Sequence, residues 1–383
     1  MIRAASALVR EIPDGRAAAA AALRQAAARL EAPPSGAIVF ATPQYRTDAE
    51  AILGVFRDAG CASVVGGCAS GVLSDEGEAE SGRAVAVLLV AGVDLRSFHS
   101  DAVSDMRGLL PPGDVRVILP DPARVDLADL MKVHDGGGEF QSLVGGALSG
   151  GSEKSGHFQF AGDRVAEGGI TGFTLSGVSH VLGIAHGCRP IGRPLVVTRC
   201  HGHIVMSLAG RAPMELLREA LEAHQKGEGG SGGPVLAGLA MDSAKSPLGR
   251  GDFVVRNLLA VQSEQGAVLA VGTPVRVGQT LVFHLMDRAS ATEDMREMVA
   301  GVKQELKSAP AFALYFNCRG RGKNLFGETD HDVLEIRTAL GNLPMIGFFG
   351  NAEFAPAAGH NWMHTYTGVL LVVGQGVSSA GRK

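Results

Sequence analysis

One stretch, from Phe312 to Pro356, constrains the fold more than any other part of the chain. An apolar run is followed by the turn RGRG, by a short amphipathic helix, and by a second apolar run that ends in glycines. This order of strand, polar turn, helix, strand and glycine turn is how α/β proteins build a ligand site at strand ends. The stretch therefore predicts an α/β fold with a site on these turns.

The same order occurs twice earlier in the chain. The segments VVGGCASG, LVGGALSG and IGFFGNAE each join a hydrophobic pair to a glycine and a small polar turn, and a strand returns after each. We therefore predict mixed sheets covered by helices, built from repeated βαββ-like units in two consecutive halves. Chance similarity of glycine-rich turns is the alternative. If the units are repeats, their glycine turns should come together on one face.

The length of 383 residues favours two domains. The segment KGEGGSGGP, residues 226–234, has the composition of a flexible linker and is the predicted boundary. Residues 35–225 then form an N-terminal domain, and residues 234–375 form a C-terminal domain. An alanine-rich sequence that begins near Asp14 predicts a helix, so residues 1–34 are expected to be a helical N-terminal extension.

Composition and charge exclude several classes of function. The formal net charge of -4 gives no basic footprint for nucleic acid. Apolar runs such as Ala84 to Val93 fall short of the roughly 20 residues that span a bilayer. The N-terminal sequence shows no long apolar segment or cleavage site of the kind found in signal peptides, so a cytoplasmic protein without a membrane span is expected. Five cysteines in no CxxC or zinc spacing fit a reducing compartment and identify no metal site.

Two arginines are the first candidates for ligand contact. Arg319 and Arg321 lie on a glycine-flanked turn after a predicted buried strand. A guanidinium group can hold a carboxylate through two parallel hydrogen bonds, which suits this position to an acidic ligand. The alternative is structural, with either arginine paired to Glu353 or Asp330.

Further candidates are polar residues on or just after the glycine turns. The third turn carries Asn351 and Glu353, and the Glu353 carboxylate could accept a ligand ammonium group. The uncharged first and second turns, with Ser70 and Ser149, are predicted to form the pocket walls. A polar cluster with aromatic neighbours, suited to a flat ligand, precedes the last strand and consists of His360, Asn361 and His364.

The three glycine turns carry no recognisable catalytic or nucleotide motif. Their serines do not follow GxSxG, and the turns lack GxGxxG and a Walker lysine, so they predict no bound nucleotide. A non-enzymatic role is therefore favoured, and an enzyme of unassigned type is the alternative.

Several segments together resemble the FIST proteins, a class of small-ligand sensory proteins found mostly in bacteria. The C-terminal half contributes RGRGKNLFG, IGFFGNAEF and HNWMHTYTG, and the preceding part contributes VVGGCASG, VGGALSGG, AHGCRPIGRPLVVT, DFVVRNLLAV and VRVGQTLVFHLMD. The resemblance extends from about Ala37 to Val373, in the family's order. Two places depart from it. Ala352 precedes Glu353 where the family usually has glycine, and Val72 and Leu73 stand where an acidic residue is often found.

The resemblance implies a cytoplasmic sensor, with an N-terminal and a C-terminal FIST domain, that binds a small molecule. Amino-acid-like ligands are suggested for the family, and the implied partner is a histidine kinase or a cyclic-di-nucleotide enzyme. One branch consists of haem-binding nitric-oxide sensors, which makes haem a candidate cofactor. Haem needs an axial ligand, and the side chains of suitable type are His180, His186, Cys188, His201, His203, His284 and His364.

Overall fold

A computed structural model describes residues 1–106, 110–135, 140–152, 156–228, 233–249, 251–263 and 266–376. The chain forms two compact units. Strands from early and late parts of the chain share sheets in the first unit, so the compact units are not consecutive segments of the chain. The first unit comprises Met1–Ile184, Met295–Met363 and Thr367–Lys383, and the second comprises Ala185–Asp294 and His364–Tyr366.

The chain begins with a strand of the first sheet. β1 (Arg3–Arg10) pairs antiparallel with β6 (Ala84–Ala91) along its whole length. The expected helical extension is therefore wrong for residues 3–10, because pairing with the fully buried β6 outweighs the helix propensity of their alanines. The six strands of this sheet, in order, are β1, β6, β2 (Gly36–Ala41), β3 (Ser63–Cys68), β10 (Phe158–Ala161) and β11 (Arg164–Glu167).

The alanine-rich helix is confirmed as α1 (Gly15–Leu30). Asp14 caps its start, since its Oδ1 accepts a hydrogen bond from the amide of Ala17 at 2.7 Å. One face of the helix is fully buried, and its small side chains allow close packing on the first sheet. These side chains belong to Ala18, Ala19, Ala22 and Ala26.

Two further six-stranded sheets also contain both parallel and antiparallel pairs. In sheet order, the second consists of β23 (His360–His364), β22 (Ala352–Ala357), β9 (Val144–Ala147), β8 (Val115–Pro120), β12 (Ile170–Ser176) and β7 (Asp94–Ser100). The third consists of β13 (Val178–Ala185), β24 (Gly368–Gln375), β20 (Pro310–Cys318), β21 (Met345–Gly350), β4 (Val72–Ser74) and β5 (Gly77–Ala79). The fold is therefore mixed α/β, as predicted.

Each of the three sheets has one parallel pair whose strands are joined through a helix. The first pair, β2 and β3, is joined by a 3-10 helix (Pro43–Asp48) and α2 (Ala49–Asp58). The second pair, β8 and β9, is joined by α3 (Leu127–Asp135). The third pair, β20 and β21, is joined by α6 (Lys323–Phe326) and α7 (His331–Leu340).

The hairpin that follows each parallel pair joins a different sheet. β4 pairs with β21, β10 pairs with β3, and β22 pairs with β9. The chain therefore crosses from one sheet to another just after β3, β9 and β21. This exchange brings the three crossing turns close together.

Glycine is required where the first two of these strands approach their parallel neighbours. A Cβ at Gly66 would lie 1.9 Å from the carbonyl oxygen of Val39, and one at Gly145 would lie 2.0 Å from that of Ile118. Both glycines also have positive φ angles, 144° and 153°. The VVGG and LVGG segments therefore reflect close backbone contact between parallel strands.

The second unit contains a closed barrel. Its strands, in order around the barrel, are β14 (Cys188–His201), β15 (Ile204–Leu208), β18 (Gly266–Val271), β17 (Phe253–Ser263), β16 (Val235–Ala240) and β19 (Thr280–Met286). Helix α4 (Pro213–Glu228) extends into the predicted linker, and residues 229–232 of that linker lie outside the described residues. α5 (Arg288–Glu305) follows β19. Within the described residues, no helix is long and apolar enough to cross a membrane.

Candidate functional site

The turns that leave β3, β9 and β21 meet at the side chain of Ser149. This side chain is fully buried. Its Oγ accepts a hydrogen bond from the amide of Ser70 at 2.9 Å, lies 3.1 Å from the Ser70 Oγ, and donates to the carbonyl oxygen of Phe349. One hydroxyl group therefore connects residues from all three turns.

Asn351 adds a second set of contacts between the turns. Its amide donates to the carbonyl of Ala147 at 3.0 Å, and its Nδ2 donates to the carbonyl of Leu148 at 2.9 Å. The first and third turns are also joined directly, since the amide of Phe349 donates to the carbonyl of Gly71 at 2.9 Å. The structure thus brings together Ser70, Ser149 and Asn351, three candidates that are far apart in the sequence.

The outer side of this junction carries a guanidinium group. Arg319 is exposed, and its Nη1 donates to the Oδ1 of the exposed Asn351 at 3.3 Å. Ser70 is half-buried and is bonded to Ser149 in the same junction. A cation, an amide and a hydroxyl group therefore lie at the ends of parallel strands, where α/β proteins bind ligands.

Arg321, the other candidate arginine, is fully buried and bound to a carboxylate. Its Nε and Nη2 donate to the two oxygens of Asp332 at 2.9 and 3.0 Å. Asp332 is neither of the partners considered from the sequence, which were Glu353 and Asp330. The only signal for it was an acidic residue in the first turn of α7, the second helix after the RGRG turn.

Asp332 is the centre of a buried polar network. The Tyr315 hydroxyl donates to it at 2.8 Å, the Asn317 amide at 3.2 Å, and the His331 Nδ1 lies at 3.0 Å. Burial alone would raise the pKa of Asp332, but Arg321 and the hydrogen bonds hold that pKa below its usual range. The His331 ring stacks on Phe326 with centroids 3.6 Å apart. This network holds α7 against β20.

Glu353 is also fully buried, and it accepts a hydrogen bond from the Thr367 hydroxyl at 2.7 Å. Burial raises its pKa to about 8, against the opposing effects of Thr367 and Arg321. Glu353 is therefore mainly protonated at neutral pH. In this state it does not attract a ligand ammonium group, so its predicted role in ligand binding would require ionisation.

The three residues of the polar cluster before the last strand, His360, Asn361 and His364, lie in different environments. Asn361 is buried and connects β23 to the preceding segment, since its Oδ1 accepts from the amide of Leu143 at 2.9 Å and its Nδ2 donates to the carbonyl of Gln141 at 2.8 Å. His360 is exposed, with its ring 6.3 Å from that of Trp362. His364 is buried and belongs to the second unit.

Three of the seven histidine and cysteine candidates for a haem ligand lie near one another in the second unit. The rings of His186 and His364 are 5.6 Å apart, and the His284 ring contacts Phe253 at 4.9 Å. Burial, and to a smaller extent the proximity of His186, lowers the pKa of His284 to about 4. These imidazoles are thus predominantly buried side chains of the barrel region.

The remaining candidates are dispersed. Cys188 is buried in β14, and His201 and His203 lie at the turn between β14 and β15. Among the described residues, no group of three or more His, Cys, Asp or Glu side chains could hold a metal ion.

His180 borders a cavity of about 660 Å³. It is the one lining residue of a type that can ligate haem iron, and the charged side chains of Glu305 and Lys307 are also in the lining. We derive no function through this cavity.

A buried Asp–His pair was not foreseen from the sequence. Asp121 Oδ1 lies 2.6 Å from His157 Nδ1, and the two residues are 36 positions apart in the chain. Burial opposes ionisation of Asp121, but His157 and backbone amides lower its pKa. His157 Nε2 is buried and has no hydrogen-bond partner in the described part of the chain. Without a nucleophile on Nε2 the pair is not a Ser–His–Asp triad.

The nearby thiol is also unsuited to nucleophilic attack. Burial raises the pKa of Cys68 to about 12, and its Sγ donates to the carbonyl of Ser149 at 3.4 Å. Cys68 is therefore a buried structural residue in the turn that leaves β3.

Comparison with known proteins identifies the family. The FIST N domain matches residues 4–211, and the FIST C domain matches residues 213–356. An uncharacterised protein of Mycobacterium tuberculosis is 34% identical over 372 residues, covering 94% of this chain and 97% of the relative. An uncharacterised protein of Mycobacterium bovis is 32% identical over 371 residues, covering 94% and 96%. The chain therefore belongs to the FIST family, whose domains serve sensory signal transduction.

Proposed function

We propose that this chain is a cytoplasmic sensory protein that binds a small molecule at the junction of the three turns and signals to a separate partner protein. The observation that carries the proposal is the position of Ser149, whose hydroxyl group contacts Ser70 and the carbonyl of Phe349. Membership of the FIST family supports the sensory role. A histidine kinase or a cyclic-di-nucleotide enzyme is the kind of partner we propose.

The exposed groups at the junction favour a small carboxylate, such as an amino acid. Arg319 has donors available to solvent, and its contact with Asn351 is a single hydrogen bond of 3.3 Å. A carboxylate would form shorter, charge-assisted bonds with the guanidinium group. Ser70 and Asn351 supply the hydroxyl and amide that would orient the rest of the ligand. Arg321 and Glu353 are buried and would act by supporting the turn rather than by contacting the ligand directly.

The same contacts provide a route for the signal. Asn351 is bonded to Ala147 and Leu148 of the second turn, and Ser70 is bonded to Ser149. A ligand that displaces Asn351 or Ser70 would therefore change the contacts between turns of three different sheets. The displacement alters the protein only to the extent that the ligand binds one arrangement more tightly than the other. The three pairs of parallel strands would act as repeats that respond together.

Thermal unfolding in the presence of amino acids tests this proposal. A ligand that binds only the folded state raises its Tm, so one or more of the standard amino acids at about 10 mM should raise the Tm by about 2 °C or more. Arg319→Ala should remove the rise. Arg24→Ala, which changes an exposed arginine of α1, is the matched control and should retain it.

The proposed site is contradicted if Arg319→Ala leaves the rise in Tm unchanged. The proposed ligand class is contradicted if no amino acid or simple carboxylate changes the Tm of the unmodified protein.

A further inference from the structure

A second polar cavity lies in the first unit, where β1 approaches the segment that precedes β21. Its volume is about 400 Å³. The walls come from β1, α1, the turn between β4 and β5, and the C-terminal part of α7 with the residues after it. The polar side chains in its lining are Ser6, Arg29, Asp75, Glu76, Arg337 and Asn342. This lining shares no residue with the junction at Ser149.

One pair of opposite charges in this cavity is already satisfied. Arg29 Nη2 forms an ion pair with Glu76 Oε1, and its Nη1 donates to the carbonyl of Ser6 at 3.2 Å. The second oxygen of Glu76 accepts from the amide of Leu8 at 3.1 Å. Arg29 and Glu76 therefore neutralise each other within the cavity lining.

The other two charged side chains in the lining, Asp75 and Arg337, do not form an ion pair with each other. Asp75 accepts hydrogen bonds from the buried Ser6 hydroxyl and from the amide of Met345, and neither donor carries a charge. Arg337 is exposed at the cavity wall and forms no ion pair with any described residue. A carboxylate and a guanidinium group therefore line one cavity without forming an ion pair with each other.

From this arrangement we propose a second ligand site for a small zwitterion whose cationic and anionic groups are at opposite ends. The ammonium group of the ligand binds Asp75, and its carboxylate binds Arg337, assisted by the Asn342 amide. We propose an ω-amino acid or a dipeptide as the ligand, because its two charges lie at opposite ends and the two protein charges do not contact each other. A ligand with a single charge leaves one of the two protein charges unmatched.

Binding of γ-aminobutyrate and glycylglycine, measured by thermal unfolding and by calorimetric titration of the full chain, tests the inference. At about 10 mM, at least one of them should raise the Tm by about 2 °C or more. Butyrate and butylamine, which carry one charge each, should give a much smaller rise. Glycine, with its charges on one carbon, should also bind more weakly.

Variants separate this site from the junction. Arg337→Gln should weaken binding by about tenfold or more, because it removes the charge-assisted hydrogen bonds to the carboxylate. Arg24→Gln is the matched control, and Arg319→Ala tests the other site; both should leave the affinity unchanged. Asp75→Asn should also weaken binding. If Asp75→Asn folds poorly, Arg337→Gln alone still tests the inference.

The inference is overturned if neither zwitterion binds, or if Arg337→Gln binds as tightly as the unmodified protein. It is also overturned if butyrate or butylamine binds as well as the zwitterions. If only Arg319→Ala loses the response, the ligand binds at the junction of the turns. This result would support the proposed function and overturn the second site.

Discussion

Replacing Asp332 by asparagine should lower the free energy of unfolding by about 3–5 kcal/mol. The substitution removes the carboxylate that accepts two hydrogen bonds from the fully buried guanidinium group of Arg321. It also weakens the hydrogen bonds from Tyr315 and Asn317. Breaking a buried pair from one side is costly because the remaining charge is shielded from water. Urea unfolding at neutral pH measures the change.

The same helix offers a matched control. Glu335, one turn further along α7, accepts three hydrogen bonds from Arg296, but this arginine is largely exposed. Glu335→Gln should therefore have a much smaller effect on stability than Asp332→Asn, because water replaces the lost contact. Equal effects of the two substitutions would show that the Asp332 network does not stabilise the fold as we describe.

The free energy of unfolding should also fall as pH rises from about 6.5 to 8. Burial, together with Asp332 and other nearby carboxylates, raises the pKa of Glu78 to about 8, and burial raises the pKa of Glu353 to about 8. In the unfolded chain both groups ionise near the ordinary glutamate pKa of 4.5. Between these values the folded protein binds more protons than the unfolded chain, so stability decreases with pH, by up to about 1.4 kcal/mol per pH unit for each group.

The pH range begins at 6.5 because His284 has the opposite effect on stability at lower pH. The pKa of His284 is lowered from 6.5 to about 4, so His284 contributes stability that is lost as pH falls below about 6.5. Above that value His284 is mainly neutral in both states, and the two carboxyl groups dominate the slope.

Glutamine substitutions identify the groups responsible. Glu78→Gln and Glu353→Gln each replace a protonated carboxyl group by a neutral amide, so each should flatten the decrease in stability between pH 6.5 and 8. The double variant should flatten it most. Chemical unfolding at several pH values gives the slope for each protein. A slope that is the same in all four proteins would contradict the raised pKa values.

The sequence predicted those parts of the fold that depend on local pattern. The alanine-rich α1 and the alternation of strands with helices in the three parallel pairs were found because their hydrophobic periodicity is strong. Residues 3–10 were assigned wrongly, because alanine favours a helix locally and the partner strand β6 lies more than 70 positions away. Residues 3–10 form a strand because they pair with a distant segment, and the local sequence pattern does not reveal that pairing.

The sequence likewise indicated some residues of the candidate site and missed others. Ser70, Ser149 and Asn351 were selected because the glycine turns on which they lie look alike, and the structure joins Ser70 to Ser149 and Asn351 to Leu148 of the second turn. The burial of Arg321 could not be predicted, since an arginine on a glycine turn is usually exposed and its carboxylate partner is on a later helix. The pair of Asp121 and His157 was missed because no motif relates two residues so far apart.

Hydrogen exchange with and without ligand tests the central claim most directly. With the amino acid that gives the largest rise in Tm, amide exchange should slow in residues 68–71, 147–150 and 349–351 together, because a ligand held by Ser70, Asn351 and Arg319 stabilises all three turns. The Arg319→Ala variant should lose this protection in all three segments. Protection confined to the barrel strands, or to one of the three turns, would contradict a ligand site at the junction around Ser149.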